Sequence, residues 1–230
     1  LVWYHLAWMG EYPRVNDVRI KSLEKKRKGY NAEDRFRLVE SICDLLSSVV
    51  ERYRALAQQG QVELSVTPYA HPIIPLLLDI NSAQEAMPDA SLPENPDYPG
   101  GEDRSRWHIR RGMESFEKYF GFRPKGCWPA EGAVSEQTIT LLEQEGFSWI
   151  ASGQQVLHNS MSRSYADQAW PEQWAHRPYR VRDGGINCYF RNDGLSDLIG
   201  FTYADWHAED AVSNLIHNLE SIATNSENPS

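Results

Sequence analysis

An α/β domain with mostly parallel strands, barrel-like or doubly wound, is what this sequence predicts, and three observations predict it. A long helical period over residues 31–59 closes on Gly60 and gives way to an alternating segment at 61–66, the return half of a β/α unit. Apolar Cys127 and Trp128 are followed by Pro129, the acidic turn Ala130-Glu131-Gly132, a helical pattern from Ser135 and a further apolar strand at 147–151. The order repeats at 186–191, a strand that ends in Asn192-Asp193-Gly194-Leu195-Ser196-Asp197. Strands alternating with helices in this way favour a parallel sheet covered by helices.

Taken in order, residues 1–9 (Val2, Trp3, Tyr4, Leu6, Trp8, Met9) form an apolar run that reads as a buried strand ended by Gly10 and Pro13. His5, alone within it, reads as a hydrogen-bonded core residue. The five basic residues of 21–28 read as a solvated helix face. The helix over 31–59 is capped by Asn31 with Asp34 three residues on. Its apolar stripe runs Leu38, Val39, Ile42, Leu45, Leu46, Val49, Val50, Tyr53, Leu56 and Ala57, and is expected to pack on a core. After the strand at 61–66, Pro68, Pro72 and Pro75 make 68–79 a rigid loop that holds His71 just past a strand end. Residues 87–101, with Pro88, Pro93, Pro96 and Pro99, read as an irregular loop able to wall a cleft. A helix over 102–120 leads to the strand ending at Trp128. Ser135 caps the helix that follows, and Glu136 suits its positive end. A final helix spans 208–223.

Composition narrows the function classes. With 230 residues, 41% hydrophobic and 24% charged, the chain can bury one large core. A net charge of −9 argues against nucleic acid, whose backbone requires a basic face. No run approaches a membrane span or a signal peptide. Cys43, Cys127 and Cys188 lie far apart without metal-ligand spacing and read as buried free thiols in a reducing, cytoplasmic setting. The seven histidines show no paired metal motif, so no metal and no cofactor is expected. Eight tryptophans and eleven tyrosines fit a core together with a carbohydrate cleft. Because the first residues lie inside an apolar run and the last in a polar tail, both ends are expected to be cut from something longer.

Glu131 is the leading candidate for a catalytic group. Pro129 stops the strand, Gly132 relaxes the backbone where the carboxylate emerges, and ligands of α/β folds bind at the carboxyl ends of strands. Trp128 beside it is a platform for a sugar ring. The competing reading is a surface glutamate next to a buried tryptophan.

These segments resemble glycoside hydrolase family 57, in particular its α-amylase and amylopullulanase branch. The carriers are Gly60-Gln61-Val62-Glu63-Leu64, Tyr69-Ala70-His71-Pro72-Ile73-Ile74-Pro75-Leu76-Leu77, Trp128-Pro129-Ala130-Glu131-Gly132, and Phe190-Arg191 with Leu195-Ser196-Asp197-Leu198-Ile199-Gly200-Phe201. The resemblance implies an irregular seven-stranded β/α barrel, incomplete in this chain, of whose single catalytic domain residues 1–230 form part. It also implies a retaining mechanism on α-1,4 or α-1,6 glucans, with Glu131 as nucleophile. The family's general acid, an aspartate in a later Asp-Gly-Glu segment, has no counterpart here, and the family's opening His-Gln-Pro is absent too. Asp193 is then the acid/base candidate and Asp197 the other in-chain carboxylate at a strand end. The branch is expected to carry an acid at Asn192. His71, Trp128, Arg191 and Asp197 are substrate-binding candidates, with Arg191 and Asp197 expected to form an ion pair. The partner is an α-glucan or oligosaccharide, with no nucleic acid and no membrane. Two alternatives stay open: a metal-dependent carbohydrate deacetylase-like barrel, which needs an aspartate and two histidines around one ion, and a non-catalytic carbohydrate-binding domain.

Overall fold

The computed structural model describes residues 1–87, 89–95, 98–164 and 172–227. They divide into two compact units, Leu1–Glu63 with Tyr119–Gly121, and Leu64–Lys118 with Phe122–Ser230.

The first unit is helical: α1 (Val2–Ala7), α2 (Glu11–Asn16), α3 (Val18–Lys26) and α4 (Ala32–Gln58). Residues 1–9, expected as a strand, are mostly helix. Val2, Leu6 and Met9 recur at helical spacing toward a core shared with Ile20, Leu23 and Leu38, while Trp3, Tyr4 and Trp8 face outward. Periodicity over so short an apolar run does not separate a strand from a helix; the packing partners decide. The start of α4 is as expected. The Asn31 side chain accepts from Asp34 N at 3.0 Å and the Asp34 carboxylate accepts from Asn31 N at 2.8 Å, a reciprocal cap. Lys26 beside Asp34 also holds that carboxyl below its ordinary range. The apolar stripe of α4 is only partly used. Leu38 is buried, whereas Val39, Leu46, Val49 and Tyr53 are exposed. Cys43, expected buried, is exposed on α4, because it lies off the face covered by α1 and α3.

The second unit holds the sheet: β1 (Ser65–Val66), β2 (Gly126–Cys127), β3 (Trp149–Gly153), β4 (Tyr179–Arg180) and β5 (Asn187–Arg191). Their order is β1-β2-β3-β5-β4, parallel throughout except β4, which pairs antiparallel with β5 at the edge. The class is therefore α/β with mostly parallel strands, and the described residues supply five strands where a complete barrel of the expected type has seven. Of the strand expected at 61–66 only Ser65 and Val66 find ladder partners, Gly126 and Cys127.

The helices of this unit are α5 (Ile74–Leu78), α6 (Ala83–Ala86), α7 (Gly101–Phe120, all but its last two residues), α8 (Glu136–Gln144), α9 (Gln154–Ser164), α10 (Asp193–Asp197) and α11 (Ala208–Glu227). The stretch expected as a proline-stiffened loop becomes helical at α5, where Pro75 lies in the first turn and no N–H is needed. Pro88 and Pro96 of the expected irregular loop lie outside the described residues. Ser135 caps α8 as expected, accepting from Thr138 N at 3.2 Å. Ile74, Ile109, Met113, Cys127, Leu142, Ile150 and Cys188 form the core between sheet and helices.

α7 fixes the segment that follows β1. A Cβ on Gly101 would lie 1.6 Å from the carbonyl oxygen of Leu77, and one on Gly112 would lie 3.1 Å from both Thr67 O and Tyr69 N. Glycine at 101 lets the end of α5 press against the first turn of α7, and glycine at 112 lets the Thr67–Tyr69 backbone, just ahead of His71, pack closely on the middle of that helix.

Candidate active site

The carboxyl ends of β1, β2, β3 and β5 lie along one edge of the sheet, and each extends into a polar turn. β2 continues through Trp128, whose N–H donates to Val66 O at 2.9 Å, and Pro129 into a tight turn at Ala130–Gly132. There Glu131 itself takes a left-handed backbone (φ 56°, ψ 18°), with Gly132 left-handed after it. Sequence reasoning assigned the conformational freedom to Gly132; the structure places the strain on the carboxylate-bearing residue as well. A non-glycine residue held there costs about 1–2 kcal/mol, and such residues cluster where function over-determines the backbone.

Past β1 the chain makes a second such turn. Ala70 and His71 are both left-handed (φ 59° and 58°), so three of the four non-glycine residues with this backbone among the described residues lie in these two turns. Tyr69 N donates to His108 O at 2.9 Å and the His108 ring nitrogen Nδ1 sits 2.7 Å from Tyr69 O, tying the turn to α7. The two turns meet. His71 Nε2 lies 2.8 Å from Glu131 Oε1, across sixty residues of sequence. The Glu131 side chain remains 72% exposed, a carboxylate presented to solvent and not packed away.

The Glu131 turn is held from behind by a buried serine at the end of β3. Ser152 Oγ, in a residue 2% exposed, donates to Gly132 O at 2.5 Å. The same strand end carries the third cluster. A Cβ on Gly153 would lie 3.2 Å from both oxygens of Asp193, which follows β5. Asp193 Oδ1 accepts from Arg191 Nη2 at 3.1 Å and Nε at 3.2 Å, and Oδ2 from Gln155 N at 3.1 Å in the first turn of α9. Arg191 therefore pairs with Asp193 and not, as expected, with Asp197. Residue 193 lies in the turn where the chain leaves β5, whereas Asp197 is carried off to the exposed end of α10. The Arg191 guanidinium lies 5.3 Å from the centre of the Trp128 ring, so one face of that platform is taken by a cation. Asn192, where an acid was expected, is the cap of α10 and accepts from Leu195 N at 2.8 Å.

Burial pushes the Cys127 thiol up to about 12 and the Cys188 thiol up to about 11, which leaves both inert as nucleophiles. Among the described residues no group of three or more His, Cys, Asp or Glu side chains is placed to hold a metal ion. No helix among them is long and apolar enough to cross a membrane.

The sequence matches the family model of Glycosyl hydrolase family 57 over residues 7–229. The chain belongs to this family. Its backbone is similar to that of 4-α-glucanotransferase from Thermococcus litoralis, with TM-score 0.50 and 19% identity over 81% of this chain and 23% of that one. It is also similar to an α-amylase from Thermotoga maritima (TM-score 0.48, 17% identity, 80% and 32% covered). A further likeness is to a family 57 branching enzyme from Pyrococcus horikoshii (TM-score 0.47, 14% identity, 84% and 32% covered). The chain thus spans about a quarter to a third of the length of these enzymes. No curated protein sequence matches it.

Within the family 57 chain, sequence reasoning placed Glu131, His71, Trp128, Arg191 and Asp193 at strand ends, and the structure brings them together in two groups. Glu131 meets His71; Trp128, Arg191 and Asp193 form the second group. Ser152, Gly153 and Gln155 were missed. The small pair Ser152-Gly153 directly after an apolar strand is the signal that would have found them, since a strand end that packs against two turns has no room for larger side chains.

Proposed function

We propose that this chain carries the nucleophile side of a retaining glycoside hydrolase or transglycosylase site for α-1,4 or α-1,6 glucans, of the α-amylase and amylopullulanase type. One observation carries the reading. The Glu131 carboxylate emerges from a left-handed turn at the carboxyl end of β2 with a single oxygen engaged by His71. In this mechanism Glu131 attacks the anomeric carbon, the glycosidic C–O bond breaks, and its electron pair leaves on the departing oxygen, protonated by the acid. Water or an acceptor hydroxyl, deprotonated by the same group, then displaces Glu131 from the glycosyl ester.

The second carboxyl of a retaining pair stands about 5–5.5 Å from the first. Asp193 is the candidate within the chain, two strands away, with Gly153 at the end of β3 between them. Both of its oxygens already accept hydrogen bonds, from Arg191 and from the N–H of Gln155. This arrangement supports Asp193 as the tether that holds Arg191 over Trp128 more directly than as the proton donor. Trp128 and Arg191 then form one wall of the sugar site, with Asp197 at its outer end. Residues 1–230 belong on this reading to one catalytic domain, and the free cysteines Cys43, Cys127 and Cys188 fit a reducing, cytoplasmic setting.

The test is Glu131→Gln in the full-length protein, assayed on amylose and pullulan with and without azide. Activity should fall by several orders of magnitude, and in the companion Glu131→Ala azide, entering the space the side chain vacates, should restore part of it as the inverted glycosyl azide. Wild-type rates in the variant would end the proposal. Maltooligosaccharide affinity without turnover in the unmutated full-length protein would favour the non-catalytic alternative.

A further inference from the structure

Resting on the reading of Glu131 as nucleophile, we propose that His71 is a positioning residue whose partner is the nucleophile itself. An ionised carboxylate only accepts, so in the 2.8 Å contact the proton sits on His71 Nε2 and is donated to Glu131 Oε1. Among the described residues Oε2 takes no hydrogen bond and is the oxygen left to attack.

The geometry makes this contact directive. A glutamate side chain turns about three bonds, and at 72% exposure no other hydrogen bond among the described residues confines this one. The backbone turn that carries the imidazole is itself tied down. His71 N donates to Pro68 O at 3.1 Å, and His108 of α7 binds the Tyr69 peptide through both its backbone and its ring. The left-handed backbone at Ala70 and His71 turns the ring toward the end of β2, and the left-handed backbone at Glu131 turns the carboxylate to meet it. Two strained turns built for one contact over-determine where Oε2 points.

The contact acts on the two chemical steps unequally. In the first, Oε2 bonds to the anomeric carbon and Oε1 becomes the carbonyl oxygen of the ester, still accepting from Nε2. In the second, the bond from carbon to Oε2 breaks and its electron pair returns to the carboxylate. A hydrogen bond to an anion is stronger than one to a neutral carbonyl, so Nε2 assists the departure of Glu131 more than its attack. Loss of the donor therefore slows release of the glycosyl-enzyme more than its formation.

The experiment uses the full-length protein with α-glucosyl fluoride, whose good leaving group keeps the first step fast, and compares His71→Phe with His71→Gln. A fluorinated sugar that traps the intermediate is first used to label the unmutated protein. A label on any residue other than Glu131 ends the parent reading and this one together; a label on Glu131 isolates the role of His71. In His71→Phe, kcat should fall about tenfold or more, the scale of one lost charge-assisted hydrogen bond to the departing carboxylate, with the apparent KM falling too as intermediate accumulates. His71→Gln, which returns an N–H at similar reach, should recover most of both. A raised KM at unchanged kcat would make His71 a substrate ligand and overturn the proposal. So would wild-type constants in His71→Phe, or a His71→Gln as slow as His71→Phe. Should His71→Phe fail to fold, the imidazole nitrogen resonances of His71 in Glu131→Ala decide. They should move away from their positions in the unmutated protein, and unmoved resonances refute the contact.

Discussion

Replacement of Ser152 by alanine tests the support of the Glu131 turn. The hydroxyl donates to Gly132 O at 2.5 Å in a residue 2% exposed, so its loss leaves a buried carbonyl without its donor. An orphaned buried acceptor costs about 1–3 kcal/mol. Holding Glu131 in the left-handed region costs about 1–2 kcal/mol. The anchor and the strain are thus of similar size, and without the anchor the turn is free to relax toward an unstrained backbone. For a chain of this length about 2 kcal/mol lowers Tm by about 4–8 °C. The relaxation also moves the carboxylate away from His71, and a misplacement of about 1 Å is enough to cost on the order of 10²-fold in rate. Calorimetry and steady-state kinetics on the same full-length sample read both effects, with Ser152→Cys as the companion that keeps a side chain of similar size. A lowered Tm together with an undiminished kcat would refute the reasoning, because the turn would then hold its shape without the serine. An unchanged Tm would refute the energetic premise itself.

Three further outcomes follow from the same geometry. Gly101→Ala places a methyl 1.6 Å from Leu77 O, a backbone atom that cannot swing aside, so the variant should lose about 3 kcal/mol or more in a urea melt. Thiol labelling under native conditions should modify Cys43 rapidly and leave Cys127 and Cys188 untouched until unfolding, since the first is exposed while burial raises the other two thiols to about 12 and about 11; stoichiometry by mass spectrometry checks this. Glu145, beside Arg110 and Arg106, has its carboxyl lowered in the folded chain, chiefly by the hydrogen bond from Arg110. Its contribution to stability is therefore complete above the unfolded value of about 4.3 and lost as pH falls through the folded one. Glu145→Gln should be less stable at neutral pH, and the gap to wild type should close on acidification in denaturant melts.

Glu131, Ser135 and Asn31 were legible because their signals are local. Asn31 and Asp34 cap α4 within one turn, Ser135 caps α8 in the same way, and the proline and glycine on either side of Glu131 mark a strand end whatever the rest of the chain does. The parallel class followed for the same reason, from alternation along the chain. Residues 1–9 were misread because an apolar run of that length satisfies either period, and the neighbours that accept Val2 and Leu6 come from α3 and α4. The loop at 68–79 was misread in part because proline stiffens a turn and equally opens a helix, and only the close passage of α7 selects between them.

The sequence by itself determined most of the longer helices, the class of the sheet and the place of Glu131 at a strand end, since capping, period and turn chemistry act over a few neighbouring residues. Only the tertiary structure decided that His71 reaches Glu131, that Arg191 pairs with Asp193 in place of Asp197, and that Ser152 anchors the turn. Those contacts are set by strand register and by how closely helix α7 and strand β3 approach, and they join residues that no local preference brings together.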